Sequence, residues 1–147
     1  MLKLMYITNS PEVASIADGA GVDRIFIDLE QYGKEKRQKN WDSVKSKHSI
    51  SDIPKVKSAV KNAQIFVRTD PIFDGFSDEL EGVLACEPDV VMLPYFKTVR
   101  EVETFIKAVD GRATTSLLLE TGEAAEQIDD IISVGGIDEI HIGLNDL

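Results

Sequence analysis

Residues 90–120, VVMLPYFKTVREVETFIKAVDGRATTSLLLE, decide the fold. The stretch opens with VVMLPY (90–95) and closes with TSLLLE (115–120), two short apolar runs of the length of buried strands. Between them Val99, Val102, Phe105, Ile106 and Val109 recur at the three- and four-residue steps that place side chains on one face of a helix. Gly111 then supplies a stop. A strand, a helix and a strand joined by short loops form a parallel βαβ unit with a right-handed crossover.

Working outward, the same alternation recurs. Further strands are expected at LKLMYIT (2–8), RIFIDLE (24–30), QIFVRTD (64–70) and EIHIGLND (139–146). Helical faces lie between them: Val13, Ile16, Ala17 and Ala20; Ile53, Val56 and Val60; Leu80, Val83 and Leu84; and Ala124, Ile128, Ile131 and Ile132. The strand ends at 8, 30, 70, 95, 120 and 146 are spaced by 22, 40, 25, 25 and 26 residues, so the period is that of one βα unit. Residues 1–147 read as a single domain without a linker or low-complexity tract. Two architectures compete. The length of 147 residues suits an open doubly wound sheet, because a complete (β/α)₈ barrel needs about 200 residues or more. The polar residues at the strand ends suit the barrel, and neither a G-x-G-x-x-G nor a G-x-x-x-x-G-K-[ST] phosphate loop is present.

Composition narrows the function classes. With 26 Asp+Glu against 16 Lys+Arg the net charge is −10, which argues against a nucleic-acid partner. No apolar run approaches the ~20 residues of a membrane helix, and MLKLMYITNS lacks a signal-peptide pattern. A single cysteine, Cys86, forms no internal disulfide, and a cytoplasmic location is expected. Charge is uneven: residues 31–50 hold six basic side chains against two acidic ones, a basic loop able to attract an anion or simply a solvated surface. Trp41 lies in that loop with no role assigned.

In parallel α/β proteins, chemistry collects at the carboxyl ends of the strands. Here Asp28 and Glu30, Arg68 and Asp70, Glu120, and Asp146 fall at four of those ends. Carboxylates one βα unit apart can share Mg²⁺, which takes oxygen ligands and keeps several waters, whereas zinc lacks its His and Cys ligands here. Arg68 offers a planar fork for a substrate carboxylate. The competing reading makes each acidic residue a helix cap or a surface ion pair. His48, in the basic loop, is a candidate for facing substrate. Counting by twos from Asp146 puts His141 on the helix side of its strand, as a packed residue. Cys86 reads as small buried packing.

The series GVDRIFIDLE, VRTDP, VVMLP, LLLETGEA and IGLNDL, in order from Gly21 to Leu147, resembles the HpcH/HpaI aldolase and citrate lyase beta-subunit family. The resemblance implies a pyruvate-type (β/α)₈ TIM barrel, here incomplete with about six βα units. It implies Glu120 and Asp146 as ligands of Mg²⁺ (or Mn²⁺), and Arg68 as the catalytic and substrate-binding arginine. The backbone near Asn145 would hold the substrate carboxylate, with Asp28 and Glu30 behind the site. The implied reaction is metal-dependent carbon–carbon cleavage through a pyruvate-type enolate of a 2-keto acid. Citrate-lyase-like cleavage of an acyl-CoA thioester and a non-catalytic keto-acid binder are the alternatives.

Two departures stand out. Where the aldolase branch has histidine after D-x-E, this chain has Gln31, an amide that cannot transfer a proton near neutral pH. A divergent subgroup is expected, with a different base (His48, or a metal-bound hydroxide), a different substrate, or no catalysis. The sequence also stops one residue after Asp146, short of two βα units, so a truncated chain or a homo-oligomer that covers the gap is expected.

Overall fold

The computed structural model describes residues 2–31, 47–144 and 147. Among them lie six strands: β1 (Met5–Ile7), β2 (Arg24–Asp28), β3 (Gln64–Arg68), β4 (Val90–Leu93), β5 (Thr114–Leu119) and β6 (Glu139–Ile142). Helices fall between them: α1 (Pro11–Gly19), α2 (Asp52–Ala59), α3 (Phe76–Leu84), α4 (Val99–Val109), α5 (Gly122–Glu126) and α6 (Ile128–Ile132). The strands pair in sequence order, β1 to β6, and every pairing is parallel. A doubly wound sheet would reverse its order at a switch point. This sheet has none, so it is the incomplete (β/α)₈ type.

Curvature follows from one ion pair. Arg24 of β2 meets Glu139 of β6 with both guanidinium amines, at 2.6 Å (Nη1–Oε2) and 2.5 Å (Nη2–Oε1). Four strand spacings of about 4.8 Å in a flat sheet would hold those backbones ~19 Å apart, beyond the combined reach of the side chains. The sheet is therefore curled into a partial barrel, with Arg24 and Glu139 meeting across its hollow.

Alternation along each strand divides the apolar residues between two cores. Outward-facing Ile25, Ile27, Ile65, Val67, Val91, Leu93 and Leu117 are buried under the helices, against Ile53, Val56, Leu80, Val83, Val102, Phe105 and Ile131. Phe26, Phe66, Val90, Met92 and Leu118 line the hollow, the first two edge to face at 5.0 Å. The hollow is thus filled at mid-height and polar above and below.

Helix α4 has the strongest local signals. Thr98 accepts the Glu101 N–H, and the Glu101 carboxylate returns a bond to the Thr98 N–H, a complete capping box. Helix α1 differs from its expected face: Ala14, Ala17 and Asp18 are buried, while Val13 and Ile16 are exposed. Asp18 sits inside because its carboxylate accepts the N–H groups of Lys61, Asn62 and Ala63. The expected helix through Ala124 and Ile132 is two short ones that meet at Gln127.

The strands are shorter than the sequence pattern suggests, mainly at their carboxyl ends. β2 stops at Asp28 and β6 at Ile142, so Glu30 lies in a loop. The shortening also corrects His141. Asp146 lies beyond the end of β6, so its parity says nothing about the strand. His141 pairs with Leu118 and shares its face, toward the hollow, where it is exposed rather than packed under helices. No helix among the described residues is long and apolar enough to cross a membrane.

Candidate functional site

The site begins at the register of β2 and β3. Asp28 and Arg68 are direct partners across that pairing, both on the hollow face and both at a carboxyl end. Their side chains form a two-point fork: Arg68 Nε to Asp28 Oδ1 and Nη2 to Oδ2, each 2.9 Å. Glu30 adds a contact of 3.2 Å to the same Nη2. The guanidinium lies over the Phe26 ring, 5.5 Å from its centre. Burial works against the Arg68 charge, but Asp28, Glu30 and Glu120 outweigh it and hold the guanidinium above its ordinary basicity. Arg68 is a permanent cation in a nearly dry place. Nε and Nη2 are committed to carboxylates, and Nη1 makes no hydrogen bond among the described residues.

Glu120 follows β5 directly and is buried, 7% exposed. Its Oε1 accepts the backbone N–H of Tyr95 at 2.9 Å. Tyr95 holds φ at +48°, a left-handed conformation that an aromatic residue seldom adopts, at the turn that aims this N–H at the carboxylate. On the other side, a side chain at Gly143 would bring a Cβ to 3.2 Å from Oε2 and 3.0 Å from the Glu120 Cβ. Only glycine fits this close to the Glu120 side chain. Thr121 locks the turn, donating to the Phe96 carbonyl and capping α5 through the Ala124 N–H.

A second chain of bonds runs along the margin. The Gln31 N–H donates to Asp70 Oδ1 at 2.6 Å, and the Asp70 N–H donates to Glu79 Oε1 at 3.0 Å. Burial, reinforced by the Asp70 charge, pushes the Glu79 carboxyl up to about 7. Its Oε2 is buried with no hydrogen bond among the described residues.

Asp28, Glu30, Arg68 and Glu120 therefore converge on one rim. His48 is 3% exposed, and its Nδ1 accepts the Asp28 N–H at 2.9 Å. In the neutral imidazole that bond selects the Nε2–H tautomer, with Nδ1 engaged as an acceptor. Gln31 is exposed at the edge of the site. Asn145 and Asp146, like the basic residues 32–46 with Trp41, lie outside the described residues. Among the described residues no three His, Cys, Asp or Glu side chains gather as a metal cluster. The donor set nonetheless suits a hard cation. Glu120 is a buried carboxylate whose Oε1 accepts the Tyr95 N–H, and carboxylate oxygen is the ligand type such a cation takes.

Sequence reasoning missed Tyr95, Gly143 and the Asp70–Glu79 pair. Gly143 carried a usable signal, since glycine at a strand end marks close approach. The role of Tyr95 is purely backbone and leaves no trace in residue type.

The fold and rim define a partial TIM-type barrel with an acidic, arginine-centred site. The sequence matches the family described as HpcH/HpaI aldolase/citrate lyase over residues 3–147, and the chain belongs to that family. Membership supports a lyase-type function. Among solved structures it is similar to an HpcH/HpaI aldolase/citrate lyase family protein from Burkholderia cenocepacia J2315, with a TM-score of 0.78 and 13% identity. That match covers 99% of this chain and 64% of the other. It is also similar to the citrate synthase SbnG, with a TM-score of 0.74 and 18% identity over 99% of this chain and 62% of that one. At these identities the likeness is one of fold, and the chain spans less than two thirds of either structure's length. No curated protein matches the chain.

Proposed function

We propose that the protein is a Mg²⁺- or Mn²⁺-dependent carbon–carbon lyase that forms or uses the enolate of a pyruvate-type 2-keto acid. The observation that carries this reading is Arg68, a largely covered and permanently charged guanidinium that Asp28 grips at two points and that feels the charge of Glu120. Arg68 would hold the keto-acid oxygens through Nη1 while Asp28 fixes its orientation. Glu120 and Asp146 would hold the divalent cation, which when bound withdraws electron density from the keto acid. As the bond between C3 and C4 of a 4-hydroxy-2-keto acid breaks, the C4 hydroxyl would give its proton to a solvent hydroxide, C4 would leave as an aldehyde, and the electron pair of the broken bond would pass into the enolate. Protonation at C3 then gives pyruvate. The positive charge of Arg68 stabilises the anion at that stage.

Gln31 favours a second reading, a keto-acid binder that retains the anion site and lacks the base. One measurement separates them. Pyruvate release from several 4-hydroxy-2-keto acids, with Mg²⁺ and with chelator, should be metal-dependent and lost in Glu120→Gln. Exchange of pyruvate C3 protons in D₂O should follow the same pattern. Binding of oxalate, an enolate mimic, with neither release nor exchange establishes the binder. Oxalate binding unaffected by Arg68→Ala removes both readings.

A further inference from the structure

We propose that His48 is a positioning residue of this site: its Nδ1 fixes the backbone of Asp28 and, through the Asp28 carboxylate, the orientation of Arg68. The inference rests on the reading of Arg68 as the substrate anchor. It assigns His48 a task other than proton transfer.

The reasoning starts from a gap in the β-ladder. β1 is short, and its last bond to β2 is from the Thr8 N–H to the Phe26 carbonyl at 3.2 Å. Beyond it the chain turns away at Ser10, which caps α1 through the Val13 N–H. The next N–H of β2 on the β1 side belongs to Asp28, and β1 no longer offers it a carbonyl. A buried backbone donor without an acceptor is costly, so something must take its place. His48 does, at 2.9 Å.

The short segment that carries the imidazole is held on both sides of His48. Asn9 Nδ2 reaches the Lys47 carbonyl at 3.4 Å and Asp52 Oδ2 at 3.2 Å. Ser49 donates to that same Oδ2 from its backbone N–H at 2.9 Å and from its hydroxyl at 3.0 Å. Asp52 opens α2, so the short segment carrying His48 is tied to a helix N-terminus and to the end of β1. That segment, fixed at these two points, bonds through His48 to the backbone of the residue whose two carboxylate oxygens grip Arg68. Asp28 Oδ1 also accepts the Glu30 N–H at 3.2 Å, which carries the same constraint to the second acidic partner. A displacement of the Asp28 backbone therefore moves both of the groups that orient the guanidinium.

An asparagine amide oxygen lies where an imidazole Nδ1 does, so His48→Asn retains an acceptor, whereas His48→Phe keeps ring volume without one. On the full chain, oxalate affinity in the presence of Mg²⁺ should be close to the parent in His48→Asn. It should be about tenfold weaker in His48→Phe, the scale usual for loss of a supporting hydrogen bond behind a ligand site. The metal-free protein gives an independent readout. The ¹⁵N spectrum of His48 should show the Nε2–H tautomer with scalar coupling from Nδ1 to the Asp28 amide, and the Arg68 Nε signal should move in His48→Phe but not in His48→Asn. Equal oxalate affinity in His48→Phe and parent, with Arg68→Ala abolishing binding, overturns the inference and leaves the anchor in place. An unchanged affinity in Arg68→Ala sinks the anchor instead. If His48→Phe fails to fold, the parent spectrum decides: an Nδ1–H tautomer or absent coupling overturns the proposal.

Discussion

At the scale of single residues, the site is a set of charges whose neighbours were chosen to fix them. Arg68 illustrates the difference between a charge and a geometry. Lysine at 68 would keep the positive charge and lose the two-point grip of Asp28, so the ammonium would wander among Asp28, Glu30 and Glu120. Charge-assisted bonds of this type contribute roughly 1.5–3 kcal/mol. Arg68→Lys should therefore weaken oxalate binding by about tenfold or more, and titration calorimetry should show the loss persisting at high salt because the group is buried. Glu79 offers a pH test. Its folded value of about 7 lies above the ordinary carboxyl value of 4.5. The unfolded chain thus gives up this proton first. Stability linked to Glu79 is complete below pH 4.5 and is lost as the pH rises through 7. Glu79→Gln should gain on the parent by about 1–2 kcal/mol between pH 5 and 8 in urea unfolding, a figure reduced for the partial exposure of the group. A constant difference across that range would assign the shift to another group. Most of these residue types were legible in the sequence, because Asp28, Glu30, Arg68 and Glu120 sit beside apolar strand runs. Their pairing was not. Sequence shows Arg68 as a fork for substrate, and only the register of β2 against β3 shows that Asp28 occupies that fork.

At the scale of elements, legibility tracked the strength of the periodic signal. Helix α4 was readable from five apolar positions and is capped as its Thr98-to-Glu101 spacing suggests. Thr98→Ala should cost about 1 kcal/mol in thermal or urea unfolding. Glu101→Gln should cost less, since an amide oxygen still reaches the Thr98 N–H. A null effect for Thr98→Ala would mean that burial of Val102, Phe105 and Val109 alone holds the helix. Helix α1 misled because a carboxylate occupies the place of an apolar side chain: Asp18 turns inward to collect three N–H groups, a reward invisible to hydrophobic periodicity. The strand ends misled for a related reason. Alternation continues past the last ladder bond, so D-L-E reads as strand although β2 ends at Asp28. The same overrun inverted the face of His141.

For the whole molecule, the curl of the sheet sets the site, because the rim residues come from strands that a flat sheet would hold apart. The period of the βα units was visible in the sequence, but its closure angle was not, since no local pattern encodes which side chains meet across a hollow. Arg24 and Glu139 carry much of that angle. Arg24 is 6% exposed, contacts Gln64 at 3.1 Å and lies 5.5 Å from the centre of the Phe66 ring, so its position is fixed on the β2 side. Glu139 starts β6, the strand that leads toward Asp146. Its carboxyl is held below the ordinary range first by the Arg24 hydrogen bonds, against burial. Arg24→Met keeps the length and apolar contact of the side chain and removes the tether. The expected loss is about 1–3 kcal/mol of stability, because Glu139 is partly solvated and recovers some hydration. The loss of the tether should also be felt at the opposite rim. On the proposed reading, in which Glu120 and Asp146 would hold Mg²⁺, freeing β6 should lower Mg²⁺ affinity although neither proposed ligand has changed. Adding Glu139→Gln to Arg24→Met should cost little more in either property, since one interaction is already gone. If Mg²⁺ affinity in Arg24→Met equals that of the parent while stability falls, the pair is only a local brace and the curvature is set by the packing of Phe26, Phe66 and Leu118.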